Sequence, residues 1–538
     1  MDAALRITLL LAIFAVAACG PQHATPKAEN ASTEDVVFRR GNGGEPDTLD
    51  PHRNEESSGA AVIRDLFEGL TTETVEARLA PGTAQSWEIT DDRLVYTFRL
   101  RSEARWSNGD PVLADDFVAG LRRTVDPITA SSYAQILYPI LHARSVVQGE
   151  RPVEDLGVRA LDALTVEITL ASPTPYFLSL LAHPSAFPVH RASLAAHGPR
   201  FARPGNLVSN GAYRLSEWVV QSHIKLERNT HYWDNENVQI DTVYFLATEN
   251  IDAELKRYRA GELDYTYQIP VSQYGWIQEN LAEELYTDPY ISTYFYGFDT
   301  TEPPFDDVRL RQALSMAIDR DTITSSVTGV GEVAAFGIVP PGVNDYDPAR
   351  YAWASSSDAE RLAEARRLYA DAGYSAANPL RVEIRYNTSE NHKRIAIAVA
   401  SMWKEALGIE ASLLNEEWKV MLQTRRDPST WDVMRYGWVG DYNDAFTFLE
   451  IFQTGNGQNF TGFSDAEYDR LTEGAAREAD AAARRQFMRD AERRLLQGYP
   501  VIPIYFYVNK HLVKPHVKGY APNIMDRDYS RHYRIERN

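Results

Sequence analysis

Hydrophobic and polar residues alternate in two short stretches of the chain, residues 94–100 (LVYTFRL) and 164–170 (LTVEITL). In the second stretch, Leu164, Val166 and Ile168 fall on one face of a strand. A period of two is typical of a strand with one buried face. The pattern therefore predicts a half-buried strand in each stretch.

Apolar residues spaced three or four positions apart indicate helices farther along the chain. One such stretch covers residues 308–323 and follows a pair of aspartates that favours a helix start. A second begins at a capping box formed by Ser357 and Glu360, and Gly373 stands where a C-terminal glycine cap is expected. Two helices are predicted here.

A strand-helix-strand unit follows. Residues 380–386 (LRVEIRY) read as a strand, residues 393–407 as a helix that Gly408 ends, and a further strand starts at Ile409. That order implies two parallel strands joined by a right-handed crossover.

The C-terminal part continues the mixture of helices and strands. Ser464 and Glu467 form a second capping box, and residues 480–497 read as a long charged helix. Residues 501–508 (VIPIYFYV) read as an apolar strand that Pro503 weakens. Strands and helices thus alternate throughout, which predicts an α/β fold class.

The N-terminus differs from the rest of the chain. Residues 7–18 are almost all apolar, too few to span a bilayer but suitable for the core of a signal peptide. The sequence VAAC at residues 16–19 looks like a bacterial lipobox, in which Cys19 is lipidated; the alternative is an ordinary secretory signal beside an incidental cysteine. Residues 19–35, polar beyond the cysteine, then form a tether.

Composition narrows the classes of function. The 538 residues suggest about three domains, and the net charge of −20 opposes binding to nucleic acids or anionic lipid surfaces. Cys19 is the only cysteine, so the chain can form no internal disulfide and no cysteine-based zinc site. No later apolar segment is long enough to span a membrane.

Catalytic motifs are absent from the sequence. It contains no HExxH, no GxSxG and no phosphate-binding loop, and paired carboxylates such as Asp115-Asp116 stand at predicted helix starts. A Ser-His-Asp triad assembled from distant residues is an open alternative with nothing to favour it. We therefore expect no enzyme, no cofactor and no metal.

Aromatic residues cluster beside isolated charges. Residues 286–298 contain six aromatics, residues 435–442 (RYGWVGDY) place Trp438 and an aspartate beside glycines, and Trp418 precedes Arg425. Core packing or cross-strand pairing explains each cluster taken singly. Together they suit a cleft for a ligand with a cationic and an anionic end, such as a peptide.

Long motifs along the chain resemble one known family, the periplasmic oligopeptide-binding proteins of ABC transporters, within the extracellular solute-binding proteins that include dipeptide and nickel binders. The resemblance covers nearly everything from Val36 onward. The motifs are residues 49–52 (LDPH), 64–70 (RDLFEGL), 80–82 (APG), 106–109 (WSNG), 114–117 (ADDF), 209–213 (SNGAY), 259–264 (RAGELD), 304–309 (PFDDVR), 507–509 (YVN) and 512–515 (LVKP).

The resemblance implies two lobes that close on a ligand about a hinge, with an extra third domain. Lobe I would combine residues 36–67, 193–291 and 509–538. The additional domain would be residues 68–192, and lobe II residues 292–508.

The resemblance also implies a set of peptide-binding residues. Asp441 matches the family's carboxylate for the peptide α-ammonium group, with a capping role as the alternative. Arg425 and His392 would meet the ligand carboxylate, whereas Arg435 has an alternative structural role paired with a neighbouring acid. The remaining positions are Glu55, Ser57, Tyr133, Asn387, Trp418, Gly437, Trp438 and Tyr507.

Two features of the chain depart from the family pattern. Some relatives carry a disulfide where this chain has Ser292 and Val439. Thr328 stands in place of a lysine that reaches the C-terminus of a tripeptide, so we expect longer peptides to bind more tightly, with a pH dependence from His392.

The expected function is therefore capture of short peptides in the periplasm and delivery to an inner-membrane ABC permease with its ATPase subunits. A monomer held to the membrane only through its lipid anchor is expected. The alternatives are another cargo (a murein peptide, a dipeptide or a metal chelate), a secreted peptidase, and a lipoprotein whose main role is signalling.

Overall fold

The computed structural model describes residues 35–536. The predicted signal peptide, the predicted lipidation site at Cys19 and the predicted tether up to residue 34 lie outside the described residues. Within them, no helix is long and apolar enough to cross a membrane. The described residues from Val36 onward form one compact unit.

Eighteen strands are present in the described part. They are β1 (Val37–Gly41), β2 (Thr71–Glu73), β3 (Leu79–Pro81), β4 (Ala84–Ile89), β5 (Val95–Leu100), β6 (Val158–Asp162), β7 (Thr165–Thr169), β8 (Tyr213–Val219), β9 (His223–Arg228), β10 (Thr242–Leu246), β11 (Leu285–Phe298), β12 (Val333–Ala334), β13 (Arg381–Asn387), β14 (Glu410–Glu416), β15 (Val433–Val439), β16 (Val501–Leu512), β17 (Val517–Lys518) and β18 (Arg534–Ile535).

Fifteen α-helices are present in the same part. They are α1 (Ser57–Leu66), α2 (Ala114–Val125), α3 (Ala143–Val147), α4 (Phe177–Leu180), α5 (Arg191–His197), α6 (Ile251–Arg259), α7 (Tyr274–Asn280), α8 (Val308–Met316), α9 (Arg320–Thr322), α10 (Asp358–Asp371), α11 (Glu390–Leu407), α12 (Trp418–Thr424), α13 (Phe446–Leu449), α14 (Ala466–Arg477) and α15 (Ala481–Gly498).

Three larger sheets organise the strands. Two have four strands, in the orders β1-β10-β9-β8 and β4-β5-β7-β6, and the third has six, in the order β12-β16-β11-β15-β13-β14. In the six-stranded sheet β13 pairs in parallel with β14 and β15, whereas β11 pairs antiparallel with its neighbours. The α/β class is confirmed, and so is the parallel β13-α11-β14 unit.

Most predicted element boundaries agree with the structure, and the capping box at Ser357 and Glu360 is formed. The capping box predicted at Ser464 is wrong, because Asp465 accepts the hydrogen bonds from the first turn of α14 instead. The single helix predicted over residues 308–323 is also wrong. It ends at Met316, and Asp319 caps a new helix by accepting a hydrogen bond from Thr322 N.

The strand predicted at residues 501–508 continues to Leu512 as β16. Pro503 is accommodated at an irregularity in the pairing of β11 with β16, between Tyr294 and Phe295. A bulge tolerates proline because the ladder there lacks the hydrogen bond that proline cannot donate. A second break, between Pro289 and Thr293, falls where we predict the lobe boundary.

The hydrophobic cores follow the sheets. One core joins Phe38 in β1 with Phe98 in β5 and Tyr213 in β8, so both four-stranded sheets share it. Two others lie around the six-stranded sheet, including Tyr294 and Ile384 in one and Phe295 with Leu495 in the other. The boundaries of the three predicted domains stay a prediction.

Candidate functional site

A large cleft of about 1130 Å³ lies among distant parts of the chain. Its walls come from the start of α1, the region around Tyr133, the ends of β15 and β16, and the C-terminal segment near Arg527. We call this cavity the central cleft. The predicted site residues that line it are Glu55, Ser57, Tyr133, Arg425, Trp438, Asp441 and Tyr507.

Asp441 is placed in the cleft by the turn that follows β15. The turn is fixed because Gly440 N donates to Ile291 O (2.8 Å) and Asp441 N donates to Thr447 Oγ1 (3.2 Å). No described residue donates a hydrogen bond to the Asp441 carboxylate. Burial raises the pKa of this carboxyl to about 6, and the positive charge of Arg527 opposes the rise.

The opposite wall carries Glu55 and Tyr133. Glu55 accepts a hydrogen bond from Ser132 Oγ, which ties the segment before α1 to the Tyr133 loop. Tyr133 stacks on His183 with ring centroids 5.3 Å apart. Burial lowers the pKa of His183 to about 3, so this ring is neutral at neutral pH and adds no positive charge to the cleft.

Trp438 in β15 and Arg425, which directly follows α12, both line the cleft. Trp438 Nε1 donates to Thr447 Oγ1 (3.3 Å), which fixes the indole beside Asp441. The Arg425 guanidinium lies 4.4 Å from the Phe460 ring centroid, and its buried Nε has no partner among the described residues. Arg425 is therefore an available cation for a ligand anion.

Arg435 and Asn387 are not among the residues that line the cleft. Arg435 donates to Asn387 Oδ1 (3.3 Å) and to the Tyr507 hydroxyl (2.6 Å), and its guanidinium lies 4.7 Å from the Tyr294 ring centroid. The alternative in which Arg435 pairs with a neighbouring acid is wrong, because its hydrogen-bond partners are the Asn387 amide and the Tyr507 hydroxyl. Gly437 lies opposite Tyr294 in the β11-β15 ladder.

The structure corrects the expected charge of His392. Its ring lies 5.5 Å from that of Tyr294, away from the lining of the cleft, and Nδ1 has no described partner. Burial and the nearby positive charge of Arg435 lower the pKa of His392 to about 3. A neutral imidazole cannot pair with a ligand carboxylate as an ion, so the structure contradicts the pH dependence expected from His392.

The two departures from the family pattern are visible in the structure. Ser292 and Val439 stand directly opposite each other in the β11-β15 ladder. Thr328 donates within its own turn, to Thr324 O at 3.2 Å, and is absent from the residues that line the cleft. The side chain of Trp418 lies outside the described part of the structure.

Sequence reasoning missed several charged residues of the cleft. Lys510 in β16 forms an ion pair of 3.1 Å with Glu332, and their side chains are only 13% and 6% exposed. Arg64 and Arg527 also line the cleft. Arg64 lies in one of the quoted motifs, but single charges such as Glu332, Lys510 and Arg527 carry no pattern that a sequence reveals.

Comparison with known proteins assigns the family. The family model for bacterial extracellular solute-binding proteins, family 5, middle region, matches residues 78–460. The periplasmic oligopeptide-binding protein OppA of Escherichia coli is 40% identical over 506 residues, which is 93% of each chain. The chain belongs to the family 5 extracellular solute-binding proteins.

Solved structures of two relatives agree with this assignment. The murein tripeptide-binding protein MppA of Escherichia coli is 39% identical, with a TM-score of 0.82, over 94% of this chain and 99% of that one. Haemophilus influenzae OppA in complex with the peptide RPPGFSPFR is 38% identical, with a TM-score of 0.79, over 93% and 99%. This family 5 protein therefore has the periplasmic-binding-protein fold of these relatives.

Proposed function

We propose that this family 5 protein captures short peptides outside the cytoplasmic membrane and delivers them to an inner-membrane ABC permease with its ATPase subunits. The observation that carries the proposal is the Asp441 carboxylate, half-buried in the central cleft without a hydrogen-bond donor. A desolvated carboxylate is stabilised by a cation that reaches it, and the α-ammonium group of a peptide is such a cation.

The remaining cleft residues suit the rest of an extended peptide. The ends of β15 and β16 lie in the wall, and strand-like backbone can pair with ligand N–H and C=O groups without regard to ligand sequence. Arg425 offers a cation to the ligand carboxylate, and the volume of about 1130 Å³ leaves room for side chains and water. Closure of two lobes about the β11-β16 crossing would enclose the ligand.

Murein peptides are the second candidate cargo. Escherichia coli MppA, named a periplasmic murein peptide-binding protein, is 40% identical to this chain over 481 residues, as close as the oligopeptide binders. Both kinds of ligand are peptides, so Asp441 serves either one. Titration with a murein tripeptide beside tri-, tetra- and penta-alanine distinguishes them by relative affinity.

Calorimetric titration with matched free and N-acetylated peptides tests the proposal. Acetylation removes the ammonium charge and leaves the rest of the ligand intact. We expect a free peptide to bind at least ~2 kcal/mol more tightly than its acetylated form, because a buried charge loses its partner in the latter. Equal affinities would refute the role of Asp441, and native mass spectrometry of protein purified from its host would then identify the cargo.

A further inference from the structure

Arg527 joins three distant parts of the chain beside the Asp441 carboxylate. Its Nη1 donates to Glu73 Oε1 (2.8 Å) at the end of β2, and its Nη2 donates to the backbone oxygen of Asp441 (2.7 Å). Asn523 fixes the backbone of this segment, since it bonds to both Arg527 N and Arg527 O and also to Val75 O. The guanidinium is therefore held in place from both sides.

The charges around Asp441 are few and can be named. Burial raises the pKa of Asp441, and Arg527 is the cation that opposes this rise; its side chain is only 13% exposed, beside Glu73 at 8%. Glu450 lies close enough for Asp441 to raise its pKa, and Tyr133 faces Asp441 across the cleft. Asp444, the next acid along the chain, is paired with Arg484 at 2.6 Å.

We propose that Arg527 is a positioning residue of the ligand site: anchored on Glu73, it fixes the turn that carries Asp441 and keeps the Asp441 carboxylate ionised for a ligand ammonium group. The inference rests on the proposed function. Without Arg527, the desolvated Asp441 carboxylate would lose the cation that opposes the effect of burial, since Arg484 is already paired with Asp444, and it would take up a proton at a higher pH.

A purely structural role predicts different behaviour. An arginine that only bridges segments would, when removed, weaken binding by the same factor at every pH. An arginine that controls ionisation also stands close to the bound ammonium group and repels it. Its removal therefore weakens binding strongly below the pKa of Asp441 and little above it.

The experiment is a calorimetric pH series from 5 to 9 with tri-alanine on the full chain and its Arg527→Gln variant. In the wild type, affinity should fall as the pH drops below about 6, where Asp441 becomes protonated. In Arg527→Gln the midpoint of the pH dependence should rise by about one pH unit, so the variant should bind roughly fivefold more weakly at pH 6, roughly tenfold more weakly at pH 5 and nearly normally at pH 8.5.

Three further variants separate charge from structure. Arg527→Lys keeps the charge and should restore the wild-type midpoint. Glu73→Gln removes the anion that neutralises Arg527 and should move the midpoint in the opposite direction. Arg531→Gln is the matched control. Arg531 is buried in the same segment, but it donates to Thr72 Oγ1 at 2.6 Å and pairs with Glu68, away from Asp441. The midpoint of the pH dependence should be unchanged in this variant.

The outcomes are distinct. A uniform loss in Arg527→Gln with an unchanged midpoint overturns the inference and leaves the proposed function standing. Equal binding of free and N-acetylated tri-alanine by the wild type refutes the ammonium site itself. If Arg527→Gln fails to fold, Glu73→Gln provides the test. An unchanged or higher midpoint of the pH dependence of binding in Glu73→Gln would contradict the role assigned to Arg527.

Discussion

Single residues set the chemistry of the cleft, and Asp441 is the clearest case. Asp441→Asn should weaken the binding of free peptides by at least ~2 kcal/mol, because an amide cannot balance a buried ammonium charge. Calorimetry on the wild type and the variant, each with a free and an N-acetylated peptide, forms a double-mutant cycle. The variant should lose little affinity for the acetylated peptide; an equal loss for both ligands would mean that Asp441 only shapes its turn.

His511 gives a prediction for stability at the same scale. Asp526 and the backbone oxygen of Thr266 each lie 2.9 Å from a ring nitrogen, and the charge of Asp526 raises the pKa of this buried histidine. A folded-state pKa above the unfolded value of about 6.5 means that the stabilisation is complete below pH 6.5 and is lost as the pH rises through the folded pKa.

His511→Gln should therefore lower the free energy of unfolding by roughly 1.5–3 kcal/mol at pH 6 and by less at pH 9. Chemical denaturation at the two pH values measures this difference. The more exposed His516, which pairs with Asp264 at 2.9 Å, provides a control whose replacement by glutamine should cost less than about 1 kcal/mol. The same loss for His511→Gln at both pH values would contradict the assignment of its charge.

Between elements, the ion pair of Lys510 with Glu332 links β16 to the segment before β12. Glu332 Oε2 is buried without a described partner, so the pair leaves part of the carboxylate unsatisfied. Lys510→Met would leave the buried Glu332 carboxylate without its cation and should lower the free energy of unfolding by about 3–5 kcal/mol. The measurement is again chemical denaturation.

The double variant Lys510→Met with Glu332→Met is the control for this pair. Replacing both partners by apolar residues of similar volume is often neutral or stabilising, so the double variant should recover most of the loss. If the double variant is as unstable as Lys510→Met alone, packing of the lysine stem, and not the charge of Glu332, explains the effect.

For the whole molecule, ligand length is the informative property. Position 328 carries a threonine, which has no charge to offer the carboxylate of a tripeptide, and its hydroxyl donates within its own turn. A longer peptide that reaches Arg425 avoids enclosing an unpaired carboxylate when the lobes close. Tetra- and penta-alanine should bind roughly tenfold more tightly than tri-alanine, or ~1.4 kcal/mol. Calorimetry checks this, and tightest binding by tri-alanine would show that another cation, such as Lys510, meets the carboxylate.

Anchoring is the second prediction at the scale of the whole molecule. If Cys19 is lipidated, Cys19→Ser should move the protein from the membrane to the soluble extracytoplasmic fraction. Two or more acyl chains give stable anchoring, whereas one is marginal. Fractionation of cells followed by mass spectrometry of the mature N-terminus measures both location and modification. A wild-type protein that is already soluble, with an unmodified terminus, would contradict the lipobox interpretation.

Local patterns determined much of the fold. The alternation at residues 94–100 and 164–170 predicted β5 and β7, and Gly408, with a φ of +76°, ends α11 as expected. Such features depend on neighbours in the sequence, because periodicity and caps act within one element. The misplaced cap at Ser464 arose because the adjacent Asp465 competes for the same N–H groups. In residues 308–323 the helical spacing of apolar residues continues past Met316, so it did not reveal the new helix that Asp319 caps.

Long motifs determined the family, and through it the position of Asp441. Only the tertiary structure decided which charges surround that carboxylate, because Glu73, Asp441 and Arg527 come from three distant segments. It also decided that His392 is neutral, since burial and the charge of Arg435 act through space and leave no trace in local sequence. Patterns along the chain indicate helices and strands, because these depend on neighbouring residues. The electrostatics of the cleft depends on distances between residues that are far apart in the sequence, and only folding sets those distances.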